Sequence, residues 1–236
     1  MATTYLTRTS GTATNRLKGT FSFWVKRSAV STSDGHMIFN SWNNSNYRFQ
    51  IWIGSGTDQL GLYNVDNSSA NMYLKTTAQY RDINGWYHIY YAVDTTQSTA
   101  SDRIKLYVNG ERITSFTQET YPAQNADMSL GASSYTNLIG KYGGGGEIFN
   151  GSMSHYYFVD GSVIDVGQFG STDSTTGEWK INTNPTISSY GNQGFLILKD
   201  GNTITDQSPN SNNFTVGAGT LTKTEDCPSN VFATLN

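Results

Sequence analysis

The fold is decided by the stretch Trp86-Tyr87-His88-Ile89-Tyr90-Tyr91-Ala92-Val93-Asp94, followed by Asp102-Arg103-Ile104-Lys105-Leu106-Tyr107-Val108-Asn109-Gly110-Glu111-Arg112-Ile113. In the second segment Ile104, Leu106 and Val108 alternate with polar residues, which is the period of a half-buried strand. Asn109-Gly110 then supplies the two positive-φ residues of a type I′ turn, and the chain resumes in strand register. These segments therefore predict two neighbouring strands and a hairpin.

Other runs of strand length recur along the chain, separated by Gly, Asn, Asp or Ser. In residues 20–26, for example, Phe21, Phe23 and Val25 share one face. No window has the period of a helix, and nothing resembles a βαβ unit. The chain is thus predicted to be all-β, with two antiparallel sheets packed as a β-sandwich. The remaining strand candidates are residues 47–53, 59–63, 72–75, 137–141, 148–159 and 194–199.

Composition excludes several classes of protein. Charged residues make up 14% of the 236 residues and the net charge is −3, which argues against binding nucleic acid through phosphate neutralisation. No apolar run is long enough to span a membrane, so no membrane insertion is expected. The N-terminal residues lack the apolar core of a signal peptide, which predicts synthesis in a cytoplasm. Cys227 is the only cysteine, so an internal disulfide is impossible.

Two motifs carry a family resemblance. The pattern W-x-H-x-x-x-A-V-D at residues 86–94, followed by Y-V-N-G at 107–110, resembles the core signature of laminin G-like jelly rolls of the concanavalin A type. The segment 149–161, with Phe149, Gly151 and the pair Asp160-Gly161, is similar to the strand that closes the sheet in these domains. The resemblance runs in order from about residue 20 to residue 161, and it implies a jelly roll.

The ends of the chain extend the resemblance. Residues 2–9 (A-T-T-Y-L-T-R-T), the loop 206–215 and the ending 226–236 together resemble laminin G-like virion proteins of marine tailed phages. Pro209 departs from the glycine of the D-x-S-G-N-x-N loop. The resemblance implies a jelly roll in residues 1–165, and a Gly/Ser/Asn-rich extension in residues 166–236 that packs on the sandwich or on a neighbouring subunit.

The same resemblance implies a function. We expect a non-enzymatic structural protein of a virion, made in the host cytoplasm, that decorates the capsid or forms a surface fibre or knob. Its partners would be capsid or other virion proteins, with host-cell glycans as a further partner, and the protein would be a homo-oligomer. Two alternatives stay open: a glycan-binding adhesin outside a capsid, and a glycan-cleaving enzyme.

The residues that would support catalysis are not arranged for it. Glycoside hydrolysis needs two carboxylates facing each other across the sugar, and none of the five glutamates has an acidic residue two positions away. No G-x-S-x-G elbow is present, and His36, His88 and His155 are far apart. His88 and His155 lie inside predicted strands, which favours hydrogen-bonded cross-strand roles. The run 143–146 lacks the Gly-Lys-Ser/Thr of a phosphate loop and is interpreted as a strand connection.

Calcium stays an open alternative, because relatives of this fold often bind it in loops at one sandwich edge. Oxygen-bearing side chains occur around Asp34, at Asp66-Asn67 and at Asp82-Ile83-Asn84, but no D-x-D-x-D-G cluster exists. We therefore assign no metal ligands and no cofactor.

Sugar recognition would use aromatic rings for stacking, and amide or carboxylate groups for hydroxyls. The loop 41–47 and the tyrosine beside the glycine run have that composition, and they provide the candidate glycan contacts Trp42, Asn43, Asn44, Asn46, Tyr47 and Tyr142. Alternatively, Trp42 covers the sandwich edge and the asparagines form turns. Trp52, Tyr63 and Tyr73 are interpreted as side chains that fill the second sheet face.

Overall fold

Two antiparallel sheets make up the protein, whose computed structural model describes residues 3–30, 35–54, 56–199 and 203–229. The elements in chain order are β1 (Tyr5–Thr9), β2 (Lys18–Arg27), β3 (His36–Asn44), β4 (Tyr47–Ile53), β5 (Gln59–Asp66), β6 (Ser69–Gln79), β7 (Tyr87–Asp94), α1 (Ala100–Arg103), β8 (Ile104–Val108), β9 (Glu111–Arg112), β10 (Phe116–Thr120), β11 (Thr136–Ile139), β12 (Gly151–Asp160), a 3-10 turn (Val166–Gln168), β13 (Gly170–Thr172), β14 (Trp179–Ile181), β15 (Phe195–Ile197) and β16 (Thr215–Ala218).

The order of the strands defines the two layers. The eight-stranded sheet is ordered β10-β6-β5-β4-β3-β11-β1-β16, and the six-stranded sheet is ordered β15-β12-β2-β7-β8-β9. Strands β13 and β14 form a separate small hairpin. The predicted two-sheet antiparallel β-sandwich is confirmed. Within the described part of the chain, no helix is long and apolar enough to cross a membrane.

The core lies between the sheets and is rich in aromatic rings. Phe21, Phe23 and Val25 of β2 are fully buried, as their alternation predicts. The Phe21 ring lies 4.7 Å from that of Phe39 in the opposite sheet and 4.6 Å from that of Phe158 in its own sheet, measured between centroids. Burial of these rings, together with the aliphatic side chains around them, stabilises the sandwich.

The segment quoted first folds as its pattern predicts. Strands β7 and β8 pair, and β8 continues into β9 with Val108 opposite Glu111. Asn109 and Gly110 have φ values of 49° and 78°, as a type I′ turn requires. Arg103 is a difference, because it lies in the one-turn helix α1 and not in a strand. Its guanidinium group donates to three backbone carbonyls of neighbouring loops, those of Gln97, Ser98 and Pro122.

The chain beyond residue 165 adds strands to both sheets. Strand β15 pairs with β12, and β16 pairs with β1. Phe195 and Phe214 are buried in the main core cluster. This segment therefore shares one hydrophobic core with the residues before it. A boundary at residue 165, and contact of the segment with a neighbouring subunit, stay predictions.

Candidate functional site

Three half-buried aromatic rings lie side by side on the outer face of the eight-stranded sheet, and we call them the aromatic platform: Trp52, Tyr63 and Tyr73. Strands β4, β5 and β6 carry one ring each. Centroid distances are 6.3 Å between Trp52 and Tyr63, 6.1 Å between Trp52 and Tyr73, and 5.2 Å between the two tyrosines. Alternation explains the placement, because Ile51 and Ile53 point into the core and leave Trp52 on the opposite face.

A glycine lets the tryptophan lie close to the sheet. Gly61 of β5 pairs with Trp52 across the strands. A Cβ atom at Gly61 would lie 2.4 Å from Cζ2 of Trp52, closer than any real contact. The indole ring therefore rests on the backbone of β5, and any side chain at position 61 would displace it.

Polar groups lie beside the rings. The Arg48 guanidinium carbon is 5.3 Å from the centroid of the Tyr63 ring, a cation–π contact, and Arg48 Nε donates to Oε1 of Gln50 at 3.1 Å. Burial, and then the neighbouring Tyr63, raise the pKa of Tyr73 above its ordinary value. The Tyr73 hydroxyl, like that of any tyrosine whose pKa is not lowered, is protonated at neutral pH and can donate a hydrogen bond.

The loop between β11 and β12 forms a wall above the platform. Tyr142 and Glu147 of this loop, with the platform, Gln50 and Ala70, line a cleft of about 430 Å³. The backbone N–H of Tyr142 donates to the carbonyl of Glu147 at 3.2 Å, which closes the loop. The cleft thus combines aromatic surface with an amide and a carboxylate.

Trp42 supports this wall from below. Its ring meets that of Tyr142 edge-on at 5.1 Å, and a Cβ atom at Gly143 would lie 2.2 Å from Cγ of Trp42. The N–H of Gly143 donates to Oδ1 of the buried Asn40 at 2.7 Å. The first glycine of the run 143–146 is therefore required by close contact with an indole ring.

The candidate contacts chosen from the sequence separate into two groups. Tyr142 lines the cleft and Trp42 packs beneath it. The others belong to the β3–β4 hairpin, whose turn consists of residues 45–46, so most of the predicted loop 41–47 is strand. Oδ1 of Asn44 accepts the N–H of Asn46 at 2.9 Å, and the Tyr47 hydroxyl donates to Asn67. Asn43, Asn44 and Asn46 are exposed there. Their roles in binding stay predictions.

Sequence reasoning missed the platform as a candidate site. A signal existed in residues 47–53, where Phe49, Ile51 and Ile53 share the predicted inner face and place Trp52 on the outer one. Such a large apolar side chain on an outer face is informative. No local pattern, however, indicates that Tyr63 and Tyr73 come beside it.

The histidines have structural partners. Nε2 of His88 lies 2.8 Å from Oγ of Ser22 on the neighbouring strand, and Nδ1 accepts the indole N–H of Trp179 at 3.0 Å. The predicted hydrogen-bonded cross-strand role of His88 is confirmed. Burial lowers the pKa of His88 to about 3, so the ring is neutral. His155 has Nδ1 at 2.8 Å from Oγ of Ser154, its neighbour in the chain.

The acidic residues considered for calcium are not clustered. Among the described residues, no three His, Cys, Asp or Glu side chains are close enough to hold a metal ion. Oδ1 of Asp82 accepts the N–H of Asn84 at 2.8 Å and forms a turn. Asp34 lies outside the described residues. A calcium site stays a prediction.

Residues 2–165 match the family model described as the concanavalin A-like lectin/glucanases superfamily. No curated protein sequence matches the chain. A heptameric SAP-like pentraxin from Limulus polyphemus is similar in structure, with 19% identity, a TM-score of 0.46 and coverage of 68% of this chain and 71% of that one.

Two further solved structures are similar at the same level. Domain 4 of the arabinanase AbnA from Geobacillus stearothermophilus, in complex with arabinotriose, has 14% identity and a TM-score of 0.46, with 64% of each chain covered. The CBM40 of the Ruminococcus gnavus IT-sialidase, bound to α2,3-sialyllactose, has 17% identity and a TM-score of 0.43, with 59% of this chain and 75% of that one covered. The match to the arabinanase domain spans less than two thirds of its length.

Proposed function

Since the chain belongs to the concanavalin A-like lectin/glucanases superfamily, we propose that it is a glycan-binding module and that the aromatic platform receives the sugar. The single observation that carries the proposal is the cluster of Trp52, Tyr63 and Tyr73 on an outer sheet face beneath the Tyr142 wall. The predicted jelly roll of the concanavalin A type is the scaffold that positions these rings.

The chemistry of the cleft suits a pyranose. The C–H face of a sugar ring is apolar, and it buries that surface against the face of an aromatic side chain. The sugar hydroxyls need donors and acceptors, which Gln50, Glu147 and the tyrosine hydroxyl groups supply. A volume of about 430 Å³ lies within the range of small-molecule sites, roughly 300–1,000 Å³.

The cleft favours binding over hydrolysis. Glycosidases of the usual kind place two carboxyl groups about 5–10 Å apart across the scissile bond. Among the described residues that line the cleft, Glu147 is the one carboxylate. A non-enzymatic module is therefore part of the proposal, and polysaccharide turnover that disappears in a Glu147→Gln variant would contradict it.

The test of this proposal removes the indole ring of Trp52. We expect wild-type protein to bind a subset of glycans on a printed array, and Trp52→Ala to lose at least about tenfold in affinity for at least one of them, equivalent to about 1.4 kcal/mol. Tyr107→Ala is the matched control, because it removes a half-buried ring from the six-stranded sheet, away from the cleft. A blank array for the wild type would contradict the proposal, and so would a folded Trp52→Ala protein that binds every glycan of the subset as tightly as wild type does.

A more specific proposal is that this module is part of a virion. It is supported by the resemblance of the two chain ends and the 206–215 loop to laminin G-like proteins of marine tailed phages. A capsid decoration or fibre that holds host glycans would combine both roles. We expect the purified protein to co-sediment with particles of its phage and to form oligomers. A monomer that stays in the supernatant at every concentration would contradict this placement.

A further inference from the structure

A second aromatic groove lies on the outer face of the six-stranded sheet, on the side of the sandwich opposite the platform. Trp24, Trp86 and Trp179 line it, and we call it the tryptophan groove; its volume is about 730 Å³. Trp24 points outward because its neighbours Phe23 and Val25 are fully buried in the core. Three of the five tryptophans in the chain therefore meet on a face that does not belong to the main core.

Trp179 reaches the groove from the segment beyond residue 165. Its ring stacks on that of His88, with a centroid distance of 5.8 Å and an angle of 19° between planes. Its indole N–H is occupied by Nδ1 of His88. A Cβ atom at Gly110 would lie 2.3 Å from Cε3 of Trp179, so the ring lies directly on the β8–β9 turn. The ring is held in one orientation and remains half-buried.

Trp86 is held in the same manner on the other side of the groove. Its indole N–H donates to Oδ1 of Asp226 at 2.8 Å, and Oδ2 of Asp226 accepts from Lys26 at 2.6 Å. Lys26 and then Trp86 keep the pKa of Asp226 below its ordinary value, so the carboxylate stays charged. Both half-buried indoles thus have satisfied N–H groups and present apolar ring surface to the groove.

Polar side chains complete the lining. Asn84 and Asn109 contribute amides, and Glu178 contributes a carboxylate. Fixed aromatic rings with amides and a carboxylate at the rim are the same chemistry as the platform. We propose that the tryptophan groove is a second glycan-binding site, which makes a single chain bivalent; this inference rests on the proposed function for its ligand class.

Charge favours a neutral sugar over nucleic acid as the occupant. Among the described residues that line the groove, Lys180 is the one cation, and it is paired with Asp173 at 2.7 Å. Asp226 is paired with Lys26, and Glu178 adds one negative charge at the same place. A phosphate backbone would meet net repulsion here, whereas sugar hydroxyls need only hydrogen-bonding groups.

The experiment counts sites by calorimetric titration with cello-, xylo-, laminari-, manno-, chito- and maltohexaose. We expect wild-type protein to take up two molecules of at least one hexasaccharide per chain. Trp52→Ala and Trp86→Ala should each retain one site, and the double variant should retain none. Ile83→Ala is the matched control, because Ile83 is an exposed apolar residue close to Trp86 in sequence and outside the groove. Trp86→Phe keeps an aromatic ring at position 86, and it controls for a folding defect in Trp86→Ala.

The thiol of Cys227 gives an independent readout. This sole cysteine is half-buried in the groove lining, so a bound sugar should shield it. In the Trp52→Ala protein, the hexasaccharide at ten times its Kd should slow the reaction of Cys227 with Ellman's reagent about tenfold, since mass action leaves roughly one groove in ten empty. No slowing is expected when Trp86 is also replaced.

The outcomes separate the two proposals. One site in the wild type that Trp52→Ala abolishes would overturn the second site and support the platform. One site that only Trp86→Ala abolishes would support the groove and overturn the platform as the sugar site. No binding of any hexasaccharide to wild-type protein, together with an unchanged thiol rate, would overturn both.

Discussion

His88 is a neutral histidine whose tautomer follows from its partners. The indole of Trp179 can only donate a hydrogen bond, so Nδ1 of His88 is the acceptor. The proton therefore sits on Nε2 and is donated to Oγ of Ser22. A second proton on Nδ1 would face the indole N–H and would be buried without a partner.

The low pKa of His88 predicts a loss of stability in acid. Its folded pKa of about 3 lies below the unfolded value of about 6.5, so the unfolded chain binds more protons between these two pH values. The free energy of unfolding should therefore fall by about 1.4 kcal/mol per pH unit as the pH drops through this window, on account of this group. His88→Gln should remove that contribution.

The measurement is denaturant unfolding of both proteins between about pH 6.5 and pH 4. His36 also has a pKa lowered by burial, and it contributes to the slope in both proteins, so the difference between them isolates His88. Equal slopes for wild type and His88→Gln would contradict the assignment of a buried neutral ring.

In strand β4, the alternation of residues in the sequence predicts which side chains face the core. Alternation places Phe49, Ile51 and Ile53 in the core, and it correctly separates Trp52 from them. The neighbours of Trp52 depend on the register of β5 and β6, which contains irregularities on both sides of the ring cluster. A period of two cannot specify such a register, because a bulge moves a side chain without changing the composition of the strand.

Residues 206–212, between β15 and β16, are held by one buried carboxylate. Oδ1 of Asp206 accepts the N–H groups of Leu196 and Ser208, and Oδ2 accepts the Ser208 hydroxyl and the N–H of Asn212. Four donors therefore converge on one side chain. The D-x-S-P-N-x-N segment has a structural role at this end of the sandwich, and Pro209 in place of glycine is compatible with it.

Asp206→Ala should destabilise the protein by about 2–3 kcal/mol, because it leaves buried N–H groups without an acceptor. The matched control is Asp173→Ala, which also removes a carboxylate with several hydrogen bonds, but one that lies at an exposed turn. That control should cost clearly less, because solvent screens the interactions of an exposed carboxylate and hydrates the donors that it leaves. Chemical denaturation measures both values, and equal losses would show that burial is not what makes Asp206 important.

At the scale of the whole molecule, β1 and the described residues beyond 165 close the sandwich together. Arg8 donates through Nη2 to Oε1 of Gln193 and to Oδ1 of Asn212, both at 2.6 Å. Strand β16 completes the eight-stranded sheet next to β1, and Trp179 covers the other sheet. The segment beyond residue 165 therefore supplies core, sheet edge and groove. The platform and the tryptophan groove lie on the outer faces of the two opposite sheets, so one bound glycan would not block the other proposed site.

The sequence by itself determined the all-β class, the inner faces of the main strands, the type I′ turn at Asn109-Gly110 and the family. These features depend on residues adjacent or two apart in the chain, where alternation and turn chemistry act. Only the tertiary structure decided which outward rings meet. Trp52 lines one cleft with Tyr73 and Tyr142, and Trp24 lines one groove with Trp86 and Trp179, through strand order, register and loop packing. Residues so distant along the chain share no local sequence pattern from which their proximity could be predicted.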